Sequence, residues 1–147
     1  MKSYLTNTLA FTATLLIGCS NVSTIDNYEH NINSFIVEQE LVPMESINSL
    51  FSYDVIALSD QHIALNTQNN KSYLLTTPDN CQGMHLAKKI IFLTKNEGIV
   101  QVNSDKIARV GNKHVECTIT GIYKLHSVQL DELAHLYQQK QYYANRK

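Results

Sequence analysis

The sequence predicts a mainly β fold of the α+β class: a small antiparallel barrel or rolled sheet of about six to eight short strands, with a C-terminal helix. Three observations predict it. Short β-prone runs separated by turn residues fill most of the chain after residue 46. Apolar residues recur with a helical period near the C-terminus. Hydrophobic residues make up 44% and charged residues 17% of the 147 residues, a composition typical of one globular domain.

Residues 1–18 have the pattern of a secretory signal peptide. Lys2 supplies a positive charge, and the apolar stretch that ends at Ile17 is shorter than the ~20 residues that span a bilayer. The quartet Leu16-Ile17-Gly18-Cys19 follows directly and resembles the lipobox of bacterial lipoproteins. The resemblance implies that Cys19 becomes the N-terminus and carries three acyl chains, such as palmitate. An ordinary signal peptide with a chance cysteine, or an uncleaved anchor helix, is the alternative.

The residue after the lipidated cysteine predicts the membrane. In the Gram-negative lipoproteins that the motif resembles, Asp at this position favours retention in the inner membrane. Ser20 stands there in this chain. We therefore expect an outer-membrane protein that is lipid-anchored and faces the periplasm.

Two cysteines remain after Cys19, namely Cys81 and Cys117. Because compartments beyond the inner membrane are oxidising, these two are expected to form a disulfide. On the chain-entropy model the bridge would stabilise the fold by roughly 3–4 kcal/mol. A reactive thiol or a metal-binding pair is the alternative.

The mature chain is expected to consist of the lipidated Cys19 with a tether, over 19–45, and a β-rich domain over 46–147. Residues 20–34 are rich in Asn and Ser, as in a tether. Apolar residues at near-helical spacing favour a short amphipathic helix as the alternative. They are Val22, Ile25, Tyr28, Ile32 and Phe35.

Turn residues divide the domain into strands. The predicted strands cover 53–58, 62–67, 72–76, 89–94, 99–102, 106–110 and 113–123. Asn69-Asn70 can adopt positive φ and predicts a hairpin between the second and third strands. Gly111-Asn112 predicts a second hairpin.

Two helical segments complete the prediction. Between Cys81 and Ala87 a three-residue apolar spacing indicates about one tight helical turn. Ser127 can cap a C-terminal helix over 128–144. Its apolar positions follow the i, i+3, i+4, i+7 pattern, and they are Leu130, Leu133, Ala134 and Tyr137.

Charge is unevenly distributed along the chain. No Lys or Arg occurs between Ser3 and Asn70, where seven acids occur, whereas eleven Lys or Arg follow from Lys71 onward. We expect the two halves to pack against each other in one domain. A basic surface for anionic envelope polymers is the alternative. The net charge of −1 gives no reason to expect nucleic-acid binding.

Catalytic and metal-binding patterns are weak. His114 and Glu116 resemble part of a zinc-deaminase motif without its cysteines. Cys81 and His85 would make a nucleophile–base pair only if Cys81 were not oxidised. We expect no catalytic residue, no metal and no cofactor. Asp105 is the candidate polar site, either as a turn former that accepts backbone N–H bonds or as a functional group at the mouth of a barrel.

The stretch from about Val42 to Leu125 resembles a family of small bacterial cell-envelope lipoproteins of unknown function. The resemblance rests on four motifs: Tyr73-Leu74, Cys81-x-x-Met84-x-x-Ala87-x-x-Ile90, Asp105-Lys106-Ile107 and Cys117-x-Ile119-x-x-Ile122. It implies a two-cysteine β-rich architecture and no established activity.

These features together predict a lipid-anchored periplasmic envelope protein that is not an enzyme. We expect a binding or structural module, attached to the membrane by the anchor on Cys19, with an envelope protein or polymer as partner. A small-ligand carrier that uses a barrel mouth is the alternative, and an envelope enzyme comes third.

Overall fold

The computed structural model describes residues 24–48, 53–78, 81–87, 89–111 and 115–144. These residues form two α-helices and nine β-strands: α1 (Thr24–Glu38), β1 (Ser46–Asn48), β2 (Tyr53–Ala57), β3 (His62–Thr67), β4 (Ser72–Thr76), β5 (Lys89–Leu93), β6 (Ile99–Gln101), β7 (Lys106–Val110), β8 (Val115–Thr118), β9 (Gly121–Leu125) and α2 (Ser127–Ala144). A single 3-10 turn, Met84–Leu86, lies between β4 and β5.

All strand pairs in the described residues are antiparallel. They form a four-stranded sheet in the order β2-β3-β4-β9, a three-stranded sheet in the order β5-β7-β8, and the pair β1-β6. The predicted fold class, mainly β with a C-terminal helix, is confirmed. The described sheets do not join into a closed barrel, so the rolled-sheet form of the prediction is the one that fits.

Local turn chemistry sets most strand bounds as expected. Asn70 has a φ of 55°, which is the positive φ expected in the β3–β4 hairpin. The strands on either side pair in the register that this turn implies, with Asn66 opposite Ser72. The 3-10 turn also lies inside the predicted segment, with Cys81 and Met84 fully buried.

The run predicted as one strand over 113–123 is divided. Its described part forms β8, which pairs with β7, and β9, which pairs with β4. Between them the chain passes from one sheet to the other: the Ile119 N–H donates to the Asp105 carbonyl, and the Thr120 N–H donates to the Thr76 carbonyl. The run is β-prone on both sides of Gly121, the first residue of β9, and the strand ends where its pairing partner changes.

β1 was not predicted, because three residues are too few to show a period. Its presence changes the pairing of β6, since Ile47 of β1 lies opposite Val100 of β6. β5 pairs with β7 instead. Although β5 and β6 are consecutive in the chain, they therefore do not form a hairpin with each other.

The first hydrophobic core lies between the sheets. Its buried members come from all three sheets and from the segment around the 3-10 turn: Ile47, Ala57, Ile63, Leu65, Tyr73, Leu75, Cys81, Met84, Ile90, Val100, Ile107, Cys117, Ile119 and Ile122. At one edge the rings of Tyr53 and Phe92 meet edge to face, with centroids 4.9 Å apart.

The second core lies on the other face of the four-stranded sheet, under α1 and α2. Its buried residues are Ile32, Phe35, Leu41, Leu58, Ala64, Leu74, Leu125 and Leu133. Alternation along β3 places Ile63 and Leu65 in the first core and Ala64 in the second. The strand is therefore buried on both faces.

Residues 20–34 were interpreted either as a tether or as an amphipathic helix, and α1 covers this segment from Thr24 onward. The described part of the segment has the helix, and Ile32 and Phe35 are buried in the second core as that alternative requires. None of the described helices combines the length and the apolar character needed to cross a bilayer.

α2 begins at Ser127, one residue before the predicted start. The capping residue differs from the expected Ser127. The Gln129 side chain accepts a hydrogen bond from the His126 backbone N–H at 2.9 Å, and the His126 carbonyl accepts the Leu130 N–H. His126 is therefore the N-cap, and Gln129 in the N3 position makes the bond that the N3 side chain contributes to a capping box.

The two halves of the chain pack against each other, as expected. β1 pairs with β6, and Pro43 and Met44 bond to β9 through Tyr123 and Ile122. The charge asymmetry along the sequence therefore belongs to two halves of one folded unit.

Cys81 and Cys117 form the expected disulfide, and their Cα atoms are 5.8 Å apart. The bridge joins the segment before the 3-10 turn to β8. Both residues are buried in the first core. Neither sulfur is then available as a reactive thiol or a metal ligand.

Replacing both Cys81 and Cys117 by Ala should lower the free energy of unfolding by roughly 3–4 kcal/mol, because the unfolded chain is no longer closed into a loop. Urea unfolding of the oxidised protein and of the double variant measures the difference. Adding a reductant should weaken the natural protein and leave the double variant unchanged. Equal unfolding midpoints in all four samples would contradict the prediction.

Candidate functional site

Polar side chains meet at the β2–β3 turn, which covers Ser59–Gln61. The Ser59 hydroxyl oxygen accepts the backbone N–H groups of Gln61 and His62, both at 3.1 Å. The Leu58 and Ser59 N–H groups donate in turn to the His62 carbonyl. This local bonding makes the turn compact and places two neighbouring side chains, Asp60 and His62, in defined positions.

His62 is 1% exposed and joins the turn to α1. Its Nδ1 lies 3.0 Å from Ser59 Oγ, and its Nε2 lies 3.1 Å from Asn33 Oδ1. Because the amide oxygen of Asn33 can only accept, Nε2 carries the proton and Nδ1 accepts the Ser59 hydroxyl proton. Burial lowers the pKa of His62 to about 4, so the imidazole is neutral at pH 7.

Asp60 binds the 3-10 turn. Its Oδ1 accepts the His85 backbone N–H at 3.0 Å and lies 2.5 Å from His85 Nδ1. Burial on its own raises the pKa of the Asp60 carboxyl, but hydrogen bonds from the His85 backbone and ring and from the Gly83 N–H outweigh it, and the pKa is lowered. Asp60 therefore holds the 3-10 turn against the β2–β3 turn as a carboxylate.

Gly83 is required at this contact. Its φ of 83° is in the left-handed region, and an added Cβ would lie 2.8 Å from Arg109 Nη1. The same guanidinium nitrogen donates to the Gly83 carbonyl at 2.6 Å. The 3-10 turn is thus attached to three elements: the β2–β3 turn by Asp60, β7 by Arg109, and β8 by the disulfide.

The Asp60–His85 pair has the chemistry of an oriented imidazole. A carboxylate bonded to Nδ1 holds the imidazole ring in one orientation. Side-chain exposures of 38% for His85 and 24% for Asp60 make the pair accessible to water. Cys81 lies four residues before His85, but its sulfur is in the disulfide, so the condition under which the two would act as nucleophile and base is not met.

Asp105 is 1% exposed and organises a second polar site. Its carboxylate accepts the backbone N–H groups of Lys95 at 3.1 Å and Gln101 at 2.8 Å, one on each oxygen. Its own backbone bonds to Gln101 and Ile119. Asp105 therefore ties the turn before β6 to the turn before β7, which is the geometry of the turn-forming role.

The other candidate residues are not brought together with these. Glu116 is exposed and pairs with Lys106 at 3.4 Å. Cys19 and His114 lie outside the described residues. Across the described part of the chain there is no cluster of three or more His, Cys, Asp or Glu side chains able to hold a metal ion.

The sequence analysis did not predict the polar site formed by His62 with Ser59 and Asn33. The available signal was the Ser59-x-x-His62 spacing at a turn, where a serine hydroxyl commonly bonds to the backbone two or three residues on. The contact with Asn33 had no local signal, because it joins residues 29 positions apart.

One surface groove lies along the outer side of α1. Its lining is Asn33, Ser34, Val37 and Glu38, and its cavity volume is about 340 Å³. Val37 is 75% exposed within it. The groove is outside both cores, so it does not correspond to the barrel mouth of the ligand-carrier hypothesis.

Comparison with known protein families gives a match over most of the chain. The model of a family described as a family of unknown function (DUF6491) matches residues 1–141. No curated protein and no solved structure matches the chain.

Stability should fall as the pH drops from 6.5 towards 4. The folded-state pKa of His62, about 4, is below the unfolded value of 6.5, so the unfolded chain binds the proton more tightly over this range. The loss should approach about 3 kcal/mol, since each pKa unit corresponds to about 1.4 kcal/mol. Urea unfolding at several pH values measures it.

The His62→Gln variant should lose part of this pH dependence, and His135→Gln, at an exposed position of α2, is the matched control substitution. If the free energy of unfolding changed equally with pH in His62→Gln and in the natural protein, the pKa of His62 would not be lowered by burial, and the prediction would be wrong.

Asp105→Asn should lower the free energy of unfolding by about 1–3 kcal/mol. The amide has only one acceptor oxygen, so one partly buried backbone N–H, from Lys95 or Gln101, loses its partner. Asp54→Asn, at an exposed strand position, is the matched control and should change stability little. Thermal unfolding compares the three proteins, and an unchanged midpoint for Asp105→Asn would rule out the turn-forming role.

Proposed function

The chain belongs to the DUF6491 family of unknown function, and we propose that it is a lipid-anchored envelope protein of the outer membrane that faces the periplasm. It acts there as a non-catalytic module that binds or supports another envelope component. The observation that carries the proposal is the quartet Leu16-Ile17-Gly18-Cys19, placed directly after an apolar stretch of signal-peptide length.

The anchor follows from the energetics of acyl chains. Each buried methylene contributes about 0.8 kcal/mol, and one chain alone binds a bilayer only reversibly. Three chains on Cys19 would make the attachment effectively permanent. Ser20, in place of Asp, favours the outer membrane by the same resemblance.

The disulfide supports the proposed location in the periplasm. Such bridges persist in oxidising compartments such as the periplasm and are rare in the cytosol. Of the three cysteines in the chain, Cys81 and Cys117 are joined, and Cys19 is the one outside the bridge. This division of roles is the one that a secreted lipoprotein needs.

The use of the buried polar groups supports a non-catalytic role. The oxygens of Asp105 bond to backbone N–H groups, and both ring nitrogens of His62 are bonded to Ser59 and Asn33. These groups stabilise turns and helix packing. In the described residues the first core consists of buried apolar side chains and the disulfide, and side chains usually fill the interior of a barrel this small, which favours the binding-module proposal over the ligand-carrier alternative.

Cys19→Ala should abolish lipid labelling and release the protein from the membrane fraction, because the thiol that accepts the lipid is gone. Cells grown with labelled palmitate and then fractionated provide the measurement. The Cys81→Ala/Cys117→Ala double variant is the control and should keep both the label and the membrane association. Equal labelling of the Cys19→Ala protein would overturn the proposal.

Ser20→Asp is the second arm of this experiment. It should move the labelled protein from the outer to the inner membrane on a density gradient. Unchanged outer-membrane recovery would contradict the sorting role of this position while leaving the anchor itself intact.

A further inference from the structure

We propose that the folded domain is held directly at the bilayer, with the N-terminal end of α1 facing the membrane. This inference rests on the proposed lipid anchor at Cys19. A domain held in this way presents its partner-binding surface close to the membrane. A long tether over 19–45 would instead allow the domain to move far from the membrane.

The covalent distance between anchor and fold is short. Thr24, the first residue of α1, follows Cys19 by five positions. Each residue spans at most about 3.6 Å, so the two residues are at most about 18 Å apart in any conformation of the link. A free tether extending to residue 45 would have a limit of about 90 Å.

α1 cannot act as additional tether, because it is part of the packed domain. Ile32 is 0% and Phe35 4% exposed, and both are buried in the second core. Asn33 bonds to His62 at 3.1 Å, and Gln39 donates to Glu132 of α2 at 3.4 Å. Releasing α1 would expose this core and leave the buried His62 ring without one of its two partners.

The size of the domain, together with the length of the link, limits how far any part of the anchored protein can lie from the bilayer. A domain of about 130 residues has a radius of gyration of about 14 Å, which corresponds to a diameter of about 35 Å. The link of at most about 18 Å is only half of that diameter. The surface farthest from the anchor therefore remains within about 55 Å of the bilayer.

Energy transfer from the protein to the membrane tests the proposal. The full lipidated chain is reconstituted into vesicles of phosphatidylethanolamine and phosphatidylglycerol that contain an acceptor dye on a lipid headgroup. The donor dye is placed on Asn31→Cys, an exposed position of α1 seven residues after Thr24. Label attaches there specifically, since Cys19 is acylated and Cys81 is bridged to Cys117.

The expected distance from the Asn31 label to the bilayer is at most about 30 Å, which is the link plus about 10 Å of helix. Inserting 20 Gly and Ser residues between Ser20 and Asn21 adds a link of about 25 Å and should lower the transfer efficiency about two-fold. The same insertion between Asn69 and Asn70, in the β3–β4 turn, is the matched control and should leave the transfer unchanged.

Flotation of the vesicles separates the two ways of failing. A protein that stays behind when the vesicles float has no anchor, and both the proposed function and this inference are then overturned. A protein that floats, but whose Asn31 label lies beyond about 30 Å or does not respond to the Ser20–Asn21 insertion, overturns the inference alone. Flotation with high transfer that falls on insertion supports it.

Discussion

The two central strands of the four-stranded sheet are buried on both faces, and this burial dictates where the helices and the smaller sheets must pack. β3 and β4 lie at its centre, and successive residues point alternately into a core between sheets and a core under helices. Neither face can remain uncovered, because the apolar area buried on each is what stabilises a domain of this size. α1 and α2 are therefore obligatory parts of the fold, and the smaller sheets are needed to close the other side.

Two-sided burial also determines how polar groups are used. A polar atom inside such a layered fold must have a bonding partner. His62 satisfies this by bonding Ser59 on one ring nitrogen and Asn33 on the other, which makes it the polar link between the sheet and α1. The Asp105 carboxylate is bonded in a similar way, because each of its oxygens accepts a backbone N–H group, one from Lys95 and one from Gln101. The hydrogen bonds of both residues therefore stabilise the fold.

Much of the fold could be predicted because its signals are local. Asn69-Asn70 ended β3 and began β4, and the three-residue spacing from Cys81 indicated the 3-10 turn. The candidate site was less accessible: Asp105 was identified as a turn former from its own neighbours, but the contacts of His62 with Asn33 and of His85 with Asp60 cross 29 and 25 positions. Local propensity carries no information about such pairs.

Local signals were enough to predict most of the strands, the 3-10 turn and the pairing of Cys81 with Cys117, because turn residues act on their own neighbours and one pair of cysteines remains after Cys19. Long-range packing settled what those signals do not contain: where the run before Tyr123 leaves one sheet for another, that β1 pairs with β6, and that α1 packs against the sheet. These depend on which surfaces are left to bury once the sheets have formed. That competition is settled between segments far apart in the chain.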